Sequence, residues 1–293
     1  MTTTTEAPAD SISDRALAPI APRPHEQRSG LAAWWSDSTV FAGRNIEHIR
    51  QIPEKLLDVT LQPLMFVLLF AFVFGGAIAV SGGSYREYVI GGVLIQSLAF
   101  GLVGPATAIA TDLSEGVIDR LRSLPVARSA YLSGHYMAEL LGMALSVAIL
   151  LGAGLIVGWG VHSDMLAFGG ALALLALFCS AMIWIGTWIG LTVRTPDAVM
   201  GVAFVVVFPL TFVSSAFVPI NTLPTALQYF AAWNPVSVVI NAIRELFGNP
   251  TVPTTVHSWP LDHAVLAAFA YCVVLLAIAV PASLRRYRAR TSD

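Results

Sequence analysis

The stretch MLAFGGALALLALFCSAMIWIGTWIGLTV, Met165 to Val193, contains no Asp, Glu, Lys or Arg. Coiled as an α-helix it outlasts the hydrocarbon core of a bilayer, which is roughly 30 Å thick and needs about 20 apolar residues. A charge at the centre of such a helix would cost about 2.5–3.5 kcal/mol on insertion scales. The same absence of charge recurs in Val59–Tyr85, Tyr88–Thr111, Leu140–Ser163, Ala198–Ile243 and Ala264–Leu284, and each window is long enough to cross. Over all 293 residues the chain is 56% hydrophobic and 12% charged, where soluble domains carry roughly 25% charged residues. A soluble enzyme is excluded. The sequence specifies an all-α, polytopic integral membrane protein.

Six spans are expected, at about residues 59–80, 88–111, 136–158, 166–192, 198–217 and 264–284, within a transmembrane domain of residues 59–284. Ser81-Gly82-Gly83-Ser84 reads as the turn after the first span. Arg194-Thr195-Pro196-Asp197 reads as the break before the fifth, with Thr195 as N-cap and Pro196 at the first helical position. Between the fifth and sixth spans, Pro219, Pro224, Asn234-Pro235 and Pro250 cut an apolar region into pieces too short to cross. Re-entrant extracellular helices, entering the outer leaflet and turning back, fit this pattern where protein shields their ends. Upstream, residues 1–33 read as a disordered cytoplasmic tail rich in Thr, Pro and Ala. Residues 34–58 read as an amphipathic interfacial helix. There Val40, Phe41, Ile46, Ile49 and Ile52 alternate with Arg44, Glu47, His48 and Arg50, and Trp34 and Trp35 lie at headgroup level. Residues 285–293 form a basic cytoplasmic tail.

Placing both termini in the cytoplasm leaves Arg86 and Arg244 outside and puts the other fourteen of the sixteen Lys and Arg residues inside, as the positive-inside rule favours. Trp159, Trp233 and Trp259 then fall near the outer interface. A net charge of -2 with scattered basic residues gives no reason to expect a nucleic-acid partner. Cys179 and Cys272 lie inside apolar windows and read as small buried hydrophobes rather than a disulfide.

A phosphate-binding P-loop needs Lys followed by Ser or Thr after a glycine-rich turn. The single lysine, Lys55, stands between Glu54 and Leu56, so any ATP belongs to another chain and no cofactor of this chain's own is expected. HExxH and GxSxG patterns are absent. His135 and Glu139, one helical turn apart, read as a structural pair beside the membrane surface. The spacings Gly154–Gly158 and Gly186–Gly190 allow close approach of helix backbones in lipid without identifying a partner face. In Asp112–Arg128, Leu113, Val117, Leu121 and Leu124 fall on one helical face and Glu115, Asp119 and Arg122 on another, until Pro125 ends the helix. Glu115 and Asp119 are like charges four apart, which weakens an isolated helix and invites an external cation or partner.

The segment Glu115-Gly116-Val117-Ile118-Asp119-Arg120-Leu121-Arg122-Ser123-Leu124-Pro125-Val126-Ala127-Arg128 resembles the cytoplasmic loop between spans two and three of type-2 ATP-binding-cassette (ABC) exporter permeases, above all the daunorubicin-resistance branch of actinobacteria. The break Arg194-Thr195-Pro196-Asp197-Ala198 is similar to that family's loop between spans four and five. The stretch Phe217-Val218-Pro219, Leu223-Pro224, Asn234-Pro235-Val236 and Arg244 is similar to its re-entrant region. Together these motifs cover about residues 40–285. The resemblance implies a half-transporter in the plasma membrane: two permease subunits, identical or related, work with two ATPase subunits that bind ATP and magnesium. It also implies that the N-terminal helix and the loop after span two touch the ATPase, with Glu115, Asp119, Arg120 and Arg122 as coupling residues.

For such a permease, the substrate-pathway candidates are Gln96, Ser97 and Phe100 in span two, with Phe204, Phe208, Thr211, Phe212 and Ser215 in span five. The phenylalanines offer aromatic surface to a flat hydrophobic compound. Pro105 and Pro209 would kink the same spans. Efflux of hydrophobic drug-like or antibiotic compounds is the leading expectation. Export of a lipid or lipid-linked glycan is the alternative, and a membrane-embedded enzyme is disfavoured by the lack of clustered ionisable residues in the spans.

Overall fold

The computed structural model describes residues 61, 64–75, 80, 83–117, 128–252 and 256–292. The expected tail 1–33 and the expected interfacial helix 34–58 lie outside the described residues, as do residues 118–127 of the loop after span two. Among the described residues the protein is helical throughout, with no strand. In chain order the helices are α1 (Leu64–Val73), α2 (Tyr85–Phe100), α3 (Val103–Ser114), α4 (Arg128–Val157), α5 (Met165–Gly190), α6 (Pro196–Phe212), α7 (Thr225–Trp233), α8 (Pro235–Phe247), α9 (Trp259–Asp262) and α10 (Ala264–Ser292).

Among the described residues, four helical segments are long and apolar enough to cross a membrane: Tyr85–Ser114, Tyr131–Val157, Met165–Gly190 and Ala264–Arg290. The helices at the first and fifth expected spans are shorter, Leu64–Val73 and Pro196–Phe212. Span five was expected to run to Phe217, but α6 ends at Phe212 and residues 213–219 are irregular. Pro209 has already removed one amide from the last turns of α6. The region read as re-entrant holds a 3₁₀ turn at Ile220–Thr222 followed by α7 and α8.

Local chemistry sets these boundaries. Asp164 caps α5 by accepting the Ala167 amide at 2.9 Å. Thr195 occupies the N-cap of α6 with Pro196 following, although its side chain makes no capping bond. α8 is capped at both ends. The Asn234 side chain accepts the Val236 amide ahead of Pro235, and Gly248 ends the helix in the left-handed region at φ 70, as C-terminal glycines commonly do. The span Tyr85–Ser114 bends between Phe100 and Val103. Pro105 lacks the amide that would bond to the Gly101 carbonyl, so the ladder breaks there.

Helix α5 lies at the centre, packed against α2, α3, α4, α6, α8 and α10. Its Gly186 and Gly190 seat the backbone of α3. A Cβ on Gly186 would fall 2.3 Å from the Leu102 carbonyl oxygen, and one on Gly190 would fall 2.4 Å from that of Ala106. This glycine pair therefore serves packing within the chain. In the other pair, Gly158 adopts φ 95 just past the end of α4, so it terminates a helix and does not widen a groove. Both cysteines are buried and unbonded to each other.

Candidate functional site

Two features converge on the irregular segment after α6: a row of phenylalanines and a knot of buried polar groups. The row follows from sequence spacing. Phe204, Phe208 and Phe212 recur every four residues on one side of α6, and Phe66, Phe70 and Phe74 do the same on α1, so neighbouring rings meet. Ring centroids are 6.0 Å apart for Phe204–Phe208, 4.1 Å for Phe208–Phe212 and 5.2 Å for Phe212–Phe217. Phe100 from α2 meets Phe204 edge-on at 5.9 Å. Phe217 stacks on Phe70 at 4.3 Å, and Phe70 continues to Phe66 and Phe74. The result is a continuous aromatic ribbon joining α2, α6 and α1. Phe204 is 52% exposed, and Phe208, Phe212 and Phe74 are exposed as well.

The four phenylalanines singled out from sequence thus come together. The polar candidates do not join them. Thr211 is buried and its hydroxyl donates to the Val207 carbonyl of its own helix at 2.9 Å. Ser215 is buried against α8, with its amide donating to the Ser237 hydroxyl at 3.2 Å. Gln96 is buried in α2, and Ser97 is half-buried. Sequence reading missed Phe66, Phe70, Phe74 and Phe217, although the four-residue repeat in α1 signals a second ladder.

Behind the ribbon, residues 213–217 leave their backbone without helical partners inside the bundle. An unmet buried carbonyl is costly, and side chains from α2 and α8 meet these. Tyr85 donates its hydroxyl to the Phe217 carbonyl and Tyr88 to the Ser215 carbonyl, both at 2.9 Å. Asn234 donates to the carbonyls of Leu210 and Val213. Arg244, 0% exposed, reaches in from α8. Its Nε donates to the Tyr88 carbonyl at 2.9 Å, and its Nη2 donates to the carbonyls of Ser215 (2.8 Å) and Ala216 (3.3 Å). The guanidinium carbon sits 3.5 Å from the centroid of the Tyr88 ring, a cation–π contact. Among the described residues, Arg244 forms no ion pair with a carboxylate. Backbone closeness on the α2 side requires Gly92, where a Cβ would fall 1.9 Å from the Ala216 carbonyl oxygen. The sequence signal for Arg244 is its position, where Arg244-Glu245 closes the long charge-free window Ala198–Ile243.

At the other end of the bundle, α3 leads into the loop expected to couple. The expected helix across Asp112–Leu124 is interrupted. α3 stops at Ser114 and Gly116 takes φ 67, because glycine adopts the left-handed conformation without the Cβ penalty. Leu113 and Val117 therefore do not share one uninterrupted helical face. Glu115 is exposed at this bend, while Asp119, Arg120 and Arg122 lie outside the described residues. Just before the bend, the Tyr131 hydroxyl donates to the Asp112 carboxylate at 2.6 Å. Tyr131 stacks between His135 and Tyr287, with centroids at 6.4 and 6.2 Å. Ile109, Leu132 and Leu191 complete a small separate core there, with Leu113 and Leu284 against it. His135 is buried in this core. Among the described residues no three His, Cys, Asp or Glu side chains are grouped to hold a metal.

Of the three tryptophans expected near the outer interface, Trp233 and Trp259 are exposed. Trp159 is not. It is buried against Phe247, and its indole N–H donates to the Asn249 side chain at 2.7 Å. The buried N–H needs an acceptor, and Asn249 supplies one without headgroups.

The chain matches the model of the ABC-2 type transporter family over residues 39–247. It is 30% identical over 262 residues to the daunorubicin resistance ABC transporter permease protein DrrB1 of Streptomyces coeruleorubidus, covering 89% of each chain. It is 27% identical over 237 residues to the probable doxorubicin resistance ABC transporter permease protein DrrC of Mycobacterium tuberculosis, covering 78% of this chain and 80% of that one. A putative transport permease of Pyropia yezoensis is 25% identical over 204 residues, 67% of this chain and 69% of that one. The protein belongs to the ABC-2 type transporter family: it is an ABC transporter permease, a multi-pass membrane protein and a transporter subunit rather than an enzyme.

Proposed function

We propose that the protein is the permease half of an ATP-driven exporter that moves flat, hydrophobic drug-like compounds out of the cell. The observation that carries this reading is the partly exposed ribbon of phenylalanines from Phe100 through Phe204, Phe208 and Phe212 to Phe217. Stacked ring faces hold planar aromatic molecules without demanding a fixed hydrogen-bond pattern, and the relatives' names point to such compounds. Six spans complete the architecture, α1 and α6 being parts of the first and fifth, with α7 and α8 re-entrant from outside. Both termini face the cytoplasm, supported by the split of basic residues. A second permease chain and two ATPase subunits complete the exporter, and the ATPases bind the ATP and magnesium.

Cells that express the permease with its ATPase partner should accumulate less daunorubicin than cells without it. Phe208→Ala with Phe212→Ala should reverse most of that difference while leaving the amount of protein in the membrane unchanged. Equal drug accumulation with and without the complex, at matched expression, would overturn the drug-export reading.

Coupling is assigned to Glu115, Asp119, Arg120 and Arg122. A charged hydrogen bond across such a contact is typically worth about 1.5–3 kcal/mol, so losing one or two should weaken ATPase docking by roughly tenfold or more. Glu115→Ala with Asp119→Ala should insert normally yet recover much less ATPase on co-purification. A solvated surface loop would give equal recovery, since exposed charges contribute little.

A further inference from the structure

We propose that the turn Arg285–Arg290 at the end of α10 is a binding site for the phosphate of anionic lipid headgroups. Ala264 to Leu284 carries no charge and, at 1.5 Å per residue, is about 30 Å long, the thickness of the hydrocarbon core. Arg285 is therefore the first residue beyond the apolar layer. Arg285, Arg286, Arg288 and Arg290 are all exposed and stand within about 9 Å of that boundary along the axis, inside one Debye length at physiological salt. Ala264 to Ser292 contains no Asp or Glu, and Asp293 is the next residue.

The rest of the turn is fixed in place. Tyr287 is buried and stacks on Tyr131, and the Ser283 hydroxyl donates to the Trp184 carbonyl at 3.1 Å. With one face held by Tyr287 against α4, helical geometry at about 100° per residue puts Arg286 and Arg288 on opposite flanks, Arg285 on the far side and Arg290 about 60° from Tyr287. Guanidinium groups bind phosphate oxygens in forked pairs, and their aliphatic stems can lie along the apolar boundary. An acidic protein partner would have to reach arginines at the membrane surface from below. Phosphate headgroups are already at that depth, which favours lipid.

This inference rests on the membrane reading alone and is tested without transport. The chain is purified in micelles holding equal amounts of phosphatidylglycerol and phosphatidylcholine, and the retained lipid is counted by mass spectrometry. The wild type should retain phosphatidylglycerol in excess, and the excess should shrink as salt rises. Replacing all four arginines by Gln, which keeps helix propensity, should lower the phosphatidylglycerol-to-phosphatidylcholine ratio by roughly tenfold. Replacing all four by Lys should keep most of it, and Arg86→Gln should change nothing. If the Gln variant does not fold, the salt dependence of the wild type and the Lys variant still decide. No excess in the wild type, an excess insensitive to salt, or an excess unchanged by the four Gln substitutions would overturn the site. Displacement of the lipid by inorganic phosphate at constant ionic strength would overturn it as a lipid site.

Discussion

Arg244→Leu should lower the thermal unfolding midpoint of the purified protein by roughly 6–12 °C, from a loss on the order of 3 kcal/mol at about 2–4 °C per kcal/mol. The substitution does remove a buried cation that no carboxylate among the described residues balances, and removing such a charge relieves some desolvation cost. What it takes away is larger. Three contacts to the carbonyls of Tyr88, Ser215 and Ala216 disappear together with the cation–π contact to Tyr88. The Ala216 carbonyl then faces apolar surroundings at a point where no helix can supply a donor. Arg244→Lys should fail to rescue, because one ammonium nitrogen cannot occupy both the Nε and Nη2 positions and has no plane to lie over the Tyr88 ring. Thermal scans followed by size-exclusion chromatography measure both variants. An unchanged midpoint for Arg244→Leu would mean that the segment 213–217 is held by Tyr85, Tyr88 and Asn234 without the guanidinium.

Gly186→Ala combined with Gly190→Ala should be comparably damaging, although each adds only one methyl group. The added Cβ atoms would fall 2.3 and 2.4 Å from backbone oxygens of α3. Backbone cannot swing aside like a side chain, so α3 must move off α5, and overpacking of this kind costs roughly 1–3 kcal/mol per site. Gly201→Ala in α6 provides the contrast. No atom lies within 4 Å of its added Cβ, and Ala is favoured over Gly in a helix by roughly 0.5–1 kcal/mol, so the midpoint should hold or rise. If the paired substitutions leave the midpoint where it is, the close seat of α3 on α5 is not what holds the bundle.

The helices that read most clearly in the sequence are those for which one physical requirement decides everything. Met165–Gly190 and Ala264–Leu284 are charge-free because lipid forbids charge, and both appear as long helices. Asn234-Pro235 and Gly248 announce the ends of α8 through local chemistry that owes nothing to tertiary context. The coupling segment was less legible. A face drawn through Leu113 and Val117 assumes helix continuity, and Gly116 ends it by taking a conformation that costs other residues more. The candidate pathway was half legible, since ring spacing along a helix predicts ring contact. Of the polar candidates, the Thr211 hydroxyl donates to the Val207 carbonyl of its own helix and the Ser215 hydroxyl to the Ser237 carbonyl of α8, contacts that spacing along the sequence does not reveal. Arg244 was visible as an anomaly, but its role depends on contacts with residues far away in sequence, at Tyr88 and Ala216.

The bend at Gly101–Leu102 gives the two halves of one span separate mechanical duties. The lower half, α3, lies on α5 through Gly186 and Gly190 and ends in the exposed Glu115. The upper half, α2, is tied through Tyr85 and Tyr88 to the segment that carries Phe217. α3 is thus anchored to the helix at the centre of the bundle and α2 to the segment behind the aromatic ribbon, so the two ends of one span answer to different parts of the protein.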